Sequence, residues 1–218
     1  MSMNRASLLM EYFQVLGRAL GPSHWWPAKS SFEVCLGAVL TQNTNWSNAS
    51  TAIEALRERE LLSPERLDAL PEAELATLIR PAGYFRVKAA RIKALLTFLR
   101  LEAEFDLTRL AQQPVEELRS KLLTVKGIGQ ETADSILLYA FKFPVFVVDT
   151  YTARIMHRHA FVPEDVGYTE LQELFTANLP RDPDLFNEYH ALLVRVGKNW
   201  CKKSSPLCSG CPLQAYVP

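Results

Sequence analysis

Leu122-Leu123-Thr124-Val125-Lys126-Gly127-Ile128-Gly129-Gln130-Glu131-Thr132-Ala133-Asp134 is the stretch on which the fold turns. An amphipathic helix runs into Gly-Ile-Gly and passes straight into a second helix. Two glycines two apart let the backbone turn tightly with positive φ and leave amide N–H groups uncovered beside a helix N-terminus. Such a nest binds an anion without help from side-chain charge, and a DNA phosphate is a natural one. The same motif also serves as a plain helix–helix turn that packs and binds nothing, and Gly-x-Gly alone does not separate the two.

Outward from the hairpin the pattern stays helical. Leu8, Leu9, Tyr12, Phe13 and Leu16 recur at helical spacing, and Gly21-Pro22 stops that run. The spacing predicts a buried helix over Phe32–Leu40 and a stripe at Ala52, Ile53 and Leu56. It also predicts a helix opened by Pro71, Glu72 and Glu74, and a long one bearing Val87, Ile92, Leu95, Leu96 and Leu99. Further helices are expected at Val115–Leu123, Glu131–Phe141, Thr150–Ala160, Thr169–Asn178 and Leu185–Lys198. Pro144-Val145-Phe146-Val147-Val148 has no obvious strand partner, so it reads as an extended or irregular linker that buries its valines. The expected class is all-α, as two lobes of packed helices.

Composition narrows the function classes. The chain has 218 residues, of which 48% are apolar, 22% charged and only 9 glycine, which excludes disorder, collagen and repeat arrays. Twenty-four Lys and Arg balance 24 Asp and Glu, so a histone-like grip on nucleic acid is ruled out. A local basic face drawn from Arg86, Lys88, Arg91, Lys126, Lys198, Lys202 and Lys203 remains compatible with that balance, although each also reads as a solvated surface charge. No apolar run approaches the roughly 18 residues that cross a bilayer. Glu11 interrupts Leu8-Leu9-Met10, so no secretory signal is expected and the chain reads as soluble and cytoplasmic. Of the four cysteines, Cys201, Cys208 and Cys211 crowd near the end, which points to a metal site in a reducing compartment rather than a disulfide framework.

The apolar run ends in Asp149, followed by Thr150 and Tyr151. Asp is a good N-cap for a helix starting at Thr150. That role is compatible with a chemical one, because a carboxylate held ionised at a helix N-terminus can stabilise a developing cation or orient a water.

The Gly-Ile-Gly hairpin, its second helix, the apolar run and Asp149-Thr150 together resemble the helix-hairpin-helix DNA glycosylase superfamily, in its endonuclease III branch. The resemblance extends from about Phe32 to Cys211 and implies a helical barrel lobe over 30–144 that contains the hairpin. A second lobe would combine 1–29 with 145–218 and end in the cysteine loop, with double-stranded DNA across the cleft between the lobes. By the resemblance Asp149 is the catalytic aspartate, Lys126, Gly127, Ile128 and Gly129 grip the phosphate backbone, and Gln42, in Leu40-Thr41-Gln42-Asn43-Thr44, fills the hole left by a flipped nucleotide. The resemblance also implies a monomer, associated with the nucleoid through DNA.

Two departures matter. Bifunctional members carry a nucleophilic lysine where this chain has Glu131, and a carboxylate cannot form an imine. The cysteine loop has the family's Cys-x6-Cys-x2-Cys spacing, but Val217 stands where its fourth cysteine belongs. A [4Fe-4S] cluster on Cys201, Cys208 and Cys211 is the expectation, its fourth ligand unassigned; zinc with His190, or a loop without metal, are the alternatives.

Trp25-Trp26-Pro27 and Trp46 are ordinary core candidates taken singly. With the Gln42 segment they resemble the endonuclease-III-like 3-methyladenine DNA glycosylases. In such enzymes Trp25 and Trp46 would sandwich the extruded base, with Trp26 shaping the pocket. The expected activity is a monofunctional glycosylase for an alkylated purine. A glycosylase/lyase for oxidised pyrimidines and a catalytically silent DNA-binding module are the alternatives.

Overall fold

The computed structural model describes residues 4–23 and 25–217, and among them every regular element is helical. The chain forms two compact units: Ala28–Phe143 is continuous, while Met1–Pro27 joins Pro144–Pro218 in the other.

In the discontinuous unit, α1 (Arg5–Leu20) begins behind Asn4, whose side chain accepts from the Ala6 amide at 2.7 Å, and buries Leu9, Tyr12 and Leu16. It stops at Gly21, which takes φ 66°, a conformation glycine adopts without strain. Phe146, Val147 and Val148 lie fully buried in chain without regular structure, as the apolar run predicts, whereas Val145 is only half-buried. The Phe146 ring stacks on Phe175 at 4.0 Å, and its carbonyl accepts from Gln172 Nε2 at 2.6 Å.

The continuous unit holds α2 (Ser31–Leu40), α3 (Trp46–Arg57), α4 (Pro64–Ala69), α5 (Glu72–Leu78), α6 (Phe85–Ala103), α7 (Leu107–Ala111), α8 (Val115–Thr124) and α9 (Gln130–Ser135). The discontinuous unit then adds its remaining helices, α10 (Thr150–Arg158), α11 (Tyr168–Thr176) and α12 (Pro183–Asn199). Helix α12 starts with Pro183 behind Asp182, whose carboxylate accepts from the Asp184 and Leu185 amides. Tyr189 on its buried face donates to Leu9 O at 2.9 Å, fastening α1 to α12.

Helix α2 is apolar on nearly every side and is buried from Phe32 to Leu40. Its one buried acid, Glu33, is paired with Arg57 of α3. The expected helix over Glu131–Phe141 is interrupted: α9 gives way to a π-helical turn over Ile136–Ala140, and the Phe143 amide donates six residues back to Leu137 O at 3.0 Å. Lys142 at φ 60° ends it. The five-residue α7 is too short to leave a periodic signal, and the sequence pattern does not reveal it.

Candidate active site

Asp149 sits where the extended run meets α10. Its backbone is extended (φ −140°, ψ −176°), and its Oδ1 accepts from Thr152 N at 2.7 Å and from Thr152 Oγ1 at 2.9 Å. The N-cap role expected of it is therefore filled by one oxygen. The second, Oδ2, lies 3.8 Å from Nε2 of His190 on α12, and the Asp149 side chain keeps 12% of its exposure. Burial pushes the Asp149 carboxyl up, but His190 and the two Thr152 donors outweigh it and hold the group below its ordinary value. Helix α10 can lie this close to α12 because residue 197 is glycine. A Cβ there would come within 2.3 Å of the Tyr151 ring and 2.6 Å of Tyr151 Cβ.

The Trp25 ring meets His190 edge-on at 6.0 Å, and Trp26 lies 6.4 Å from Trp25. Ser23, held by Glu188 of α12 through its amide (2.8 Å) and its hydroxyl (2.5 Å), receives the Trp25 amide on its Oγ at 3.2 Å. Among the described residues the buried Trp25 Nε1 has no hydrogen-bond partner. His190 is the residue that sequence reasoning misplaces, naming it only as a zinc ligand. The available signal is a polar side chain among Phe186, Tyr189 and Leu193 on the buried face of α12.

The electrostatics give a direct expectation. Since burial alone acts upward, His190→Leu should raise the Asp149 pKa, and carboxyl NMR titration of the two proteins checks this. A folded value below the unfolded one of about 3.9 means Asp149 adds stability above that pH. The contribution is lost as pH falls through the folded pKa. An unchanged Asp149 titration in His190→Leu would refute the role given to His190.

In the continuous unit, α8 ends at Thr124 and the hairpin turns through Val125, Lys126 and Gly127, the last at φ 89°. Lys126, Gly127 and Gly129 are exposed, while Ile128 is buried and its amide closes the turn on Val125 O at 3.0 Å. Asp134 of α9 is fully buried and takes a bidentate grip from Arg119 of α8, with Nε at 2.6 Å and Nη2 at 3.0 Å. Glu131 is exposed in the first turn of α9, a position where the helix dipole favours an acid.

Gln42 follows α2 and reaches the hairpin. Its Nε2 donates to Gly127 O at 3.0 Å and to Thr132 Oγ1 at 2.9 Å, and its Oε1 accepts from Arg91 Nη1 at 2.6 Å. Lys88, expected on a basic surface, is instead 1% exposed. Its Nζ donates to Leu40 O at 2.8 Å and Ala82 O at 2.7 Å, backbone acceptors that satisfy the ammonium in place of water. Burial first and Arg91 second bring its pKa down to about 8. Trp46 begins α3 half-buried, after the N-cap Asn45.

The cysteine loop is secured by protein contacts. Arg154 Nε donates to Cys201 O at 2.6 Å, and Arg158 donates to Lys202 O at 2.8 Å and Lys203 O at 3.0 Å. Leu213 is fully buried, and Tyr216 donates to Glu11 at 2.5 Å while packing on Tyr12. Cys201 is buried and Cys208 exposed; burial first, then Cys201 and Cys208, push the Cys211 thiol up. Among the described residues no group of three His, Cys, Asp or Glu side chains is placed to hold a metal ion. Val217 is exposed and carries no donor. The residues present thus do not fit a cluster held by four thiolates, and His190 faces Asp149 instead of completing a zinc site.

Residues 36–181 match the family described as HhH-GPD superfamily base excision DNA repair protein. A Methanocaldococcus jannaschii protein described as a candidate DNA repair glycosylase is 39% identical, over 99% of this chain and 98% of its own. Endonuclease III of Sulfolobus acidocaldarius is 30% identical over 86% of this chain and 82% of its own. Among solved structures, the Helicobacter pylori 3-methyladenine DNA glycosylase bound to 1,N6-ethenoadenine aligns with a TM-score of 0.76 at 27% identity, covering 90% of this chain and 98% of that one. With the hairpin, the Asp149 cap and this match across most of its length, the chain belongs to the HhH-GPD superfamily of base excision DNA repair proteins.

Proposed function

We propose that this chain is a monofunctional DNA glycosylase that releases an alkylated purine, such as 3-methyladenine, and leaves the backbone intact. The observation that carries the reading is Asp149, kept ionised by Thr152 and His190 yet with part of its surface open.

In stacked duplex the sugar C1′ is closed off, so the damaged nucleotide must swing out of the helix. The bond from C1′ to the base nitrogen then breaks with its electron pair going to the base. A methylated purine is already cationic in the nucleotide and leaves neutral, so no strong acid is needed. The sugar is left oxocarbenium-like, and the Asp149 carboxylate opposes that charge. Water adds to C1′ and gives up a proton, for which Asp149 is the acceptor. Trp25, Trp26 and Trp46 supply aromatic faces suited to a cationic base, each such contact adding about 0.5–2 kcal/mol. Lys126 to Gly129 hold phosphate, and Gln42 enters the space the nucleotide vacates. Glu131 occupies the position where related lyases carry their lysine, so no imine forms and the strand is not cut. The cysteine loop takes no part in these steps: three thiols would leave one iron of a four-iron cluster without a protein thiolate.

The likeness to the H. pylori 3-methyladenine enzyme supports the substrate class. The test is a set of duplexes carrying 3-methyladenine, 7-methylguanine, an oxidised pyrimidine or a mismatch, scored separately for base loss and for nicking. Base loss from an alkylated purine is expected, with nicking only after alkali and no covalent adduct on borohydride reduction. A trapped adduct would overturn the monofunctional assignment, and base loss confined to oxidised pyrimidines would overturn the substrate. No base loss from any lesion would leave a DNA-binding protein without catalysis.

A further inference from the structure

We infer that Arg91 is a positioning residue that locks the Gln42 amide in one orientation, so that Gln42 meets DNA as a hydrogen-bond acceptor only. The inference rests on the reading above, in which Gln42 enters the vacated space and faces the orphaned base.

A glutamine amide has two N–H donors and one oxygen with two lone pairs. Which end is nitrogen must be inferred from its partners. In this site the partners leave no choice. Gly127 O can only accept, so Nε2 must face it, and Arg91 can only donate, so Oε1 must face Arg91. The second Nε2 proton goes to Thr132 Oγ1. Both donors are therefore spent inside the protein, and one lone pair on Oε1 remains.

Arg91 also touches the hairpin itself. A Cβ on Gly127 would lie 2.4 Å from Arg91 Cγ and 2.8 Å from both Cδ and Nε. The Arg91 stem therefore rests against the hairpin glycine while its guanidinium holds Gln42. One side chain thus ties the turn after α2 to the backbone-gripping hairpin, and the two approach DNA as a single piece. Without Arg91 the amide is held through Nε2 alone, by Gly127 O and Thr132 Oγ1, so Oε1 loses the partner that fixes its aim and no longer meets the base at one place.

The consequence is a preference for the base opposite the lesion. Thymine and guanine present a ring N–H at the centre of their pairing edge, while adenine and cytosine present a ring acceptor there and donate only from the amino group at the side. An acceptor-only Gln42 complements the first two.

The experiment measures binding of the intact protein to duplexes carrying a tetrahydrofuran abasic analogue opposite each of the four bases. Wild type is expected to bind with thymine or guanine opposite about 2- to 10-fold tighter than with adenine or cytosine, the range one hydrogen bond commands. Arg91→Ala should flatten that profile to within about 2-fold, and Arg91→Lys, which keeps a donor for Oε1, should retain it. Melting curves verify that both variants are folded. A wild type without this order, a folded Arg91→Ala that retains it, or an Arg91→Lys that loses it would overturn the inference. Should wild type bind the abasic duplex no better than undamaged DNA, the glycosylase reading itself would fall.

Discussion

Asp149→Asn should lower base release by at least about 10²–10³-fold while leaving the fold standing. Asparagine is nearly as good an N-cap as aspartate, so its side-chain oxygen can still accept from Thr152 N and Oγ1 and α10 still begins at Thr150. What disappears is the negative charge. The neutral amide offers the oxocarbenium-like sugar only a dipole, and it cannot accept the proton given up by the attacking water. The substitution therefore separates the capping role from the chemical one within a single residue. Single-turnover base release from an alkylated duplex, compared with thermal melting of the same preparation, is the measurement. Base release at the wild-type rate from a folded Asp149→Asn would remove Asp149 from the chemistry.

The largest stability effect is expected at the joint of the hairpin. Arg119→Met should destabilise the protein by about 3–5 kcal/mol, because it strips two charge-assisted hydrogen bonds from the fully buried Asp134 carboxylate. Methionine matches the length of the arginine stem, so most of the loss is electrostatic. The double variant Arg119→Met with Asp134→Leu should recover a good part of it, since no buried charge is then left behind. Urea unfolding of wild type and the two variants gives the comparison. A loss below about 1 kcal/mol in Arg119→Met would show that the pair behaves as an ordinary surface ion pair. Because the bidentate grip joins α8 to α9, loosening it also loosens the turn that presents Lys126 and Gly129.

How much of this is legible in the sequence depends on distance along the chain. The hairpin is local: two glycines and the helices either side state its geometry, and Gly127 does take the positive φ that the motif demands. The Asp149 cap is local as well, requiring only Asp-Thr at the end of an apolar run. His190 lies 41 residues beyond Asp149 and reaches it only because Gly197 lets α12 pack against Tyr151, which no spacing rule anticipates. The Gln42–Arg91–Gly127 contact gathers three separate segments in the same way. Lys88 misleads because a lysine beside other basic residues reads as surface, whereas two backbone carbonyls at the ends of helical turns make a buried home for it. Among the cysteines the spacing is visible, but the absence of a donor at Val217 decides what that spacing can hold.

The discontinuity of one unit sets an order of events during synthesis. Every residue of the hairpin-bearing body has left the ribosome once Phe143 has emerged, so its contacts can close while translation continues. The body that carries Asp149 must wait. Its first helix meets His159 and Phe161 through Tyr12, but its contacts from Tyr189 to Leu9, from Arg195 to Leu20 and Gly21, and from Tyr216 to Glu11 come from residues 189–216. A polypeptide released early would thus own a finished hairpin-bearing body beside an unfinished second one, its leading helix still short of the contacts that α12 and the residues after it supply.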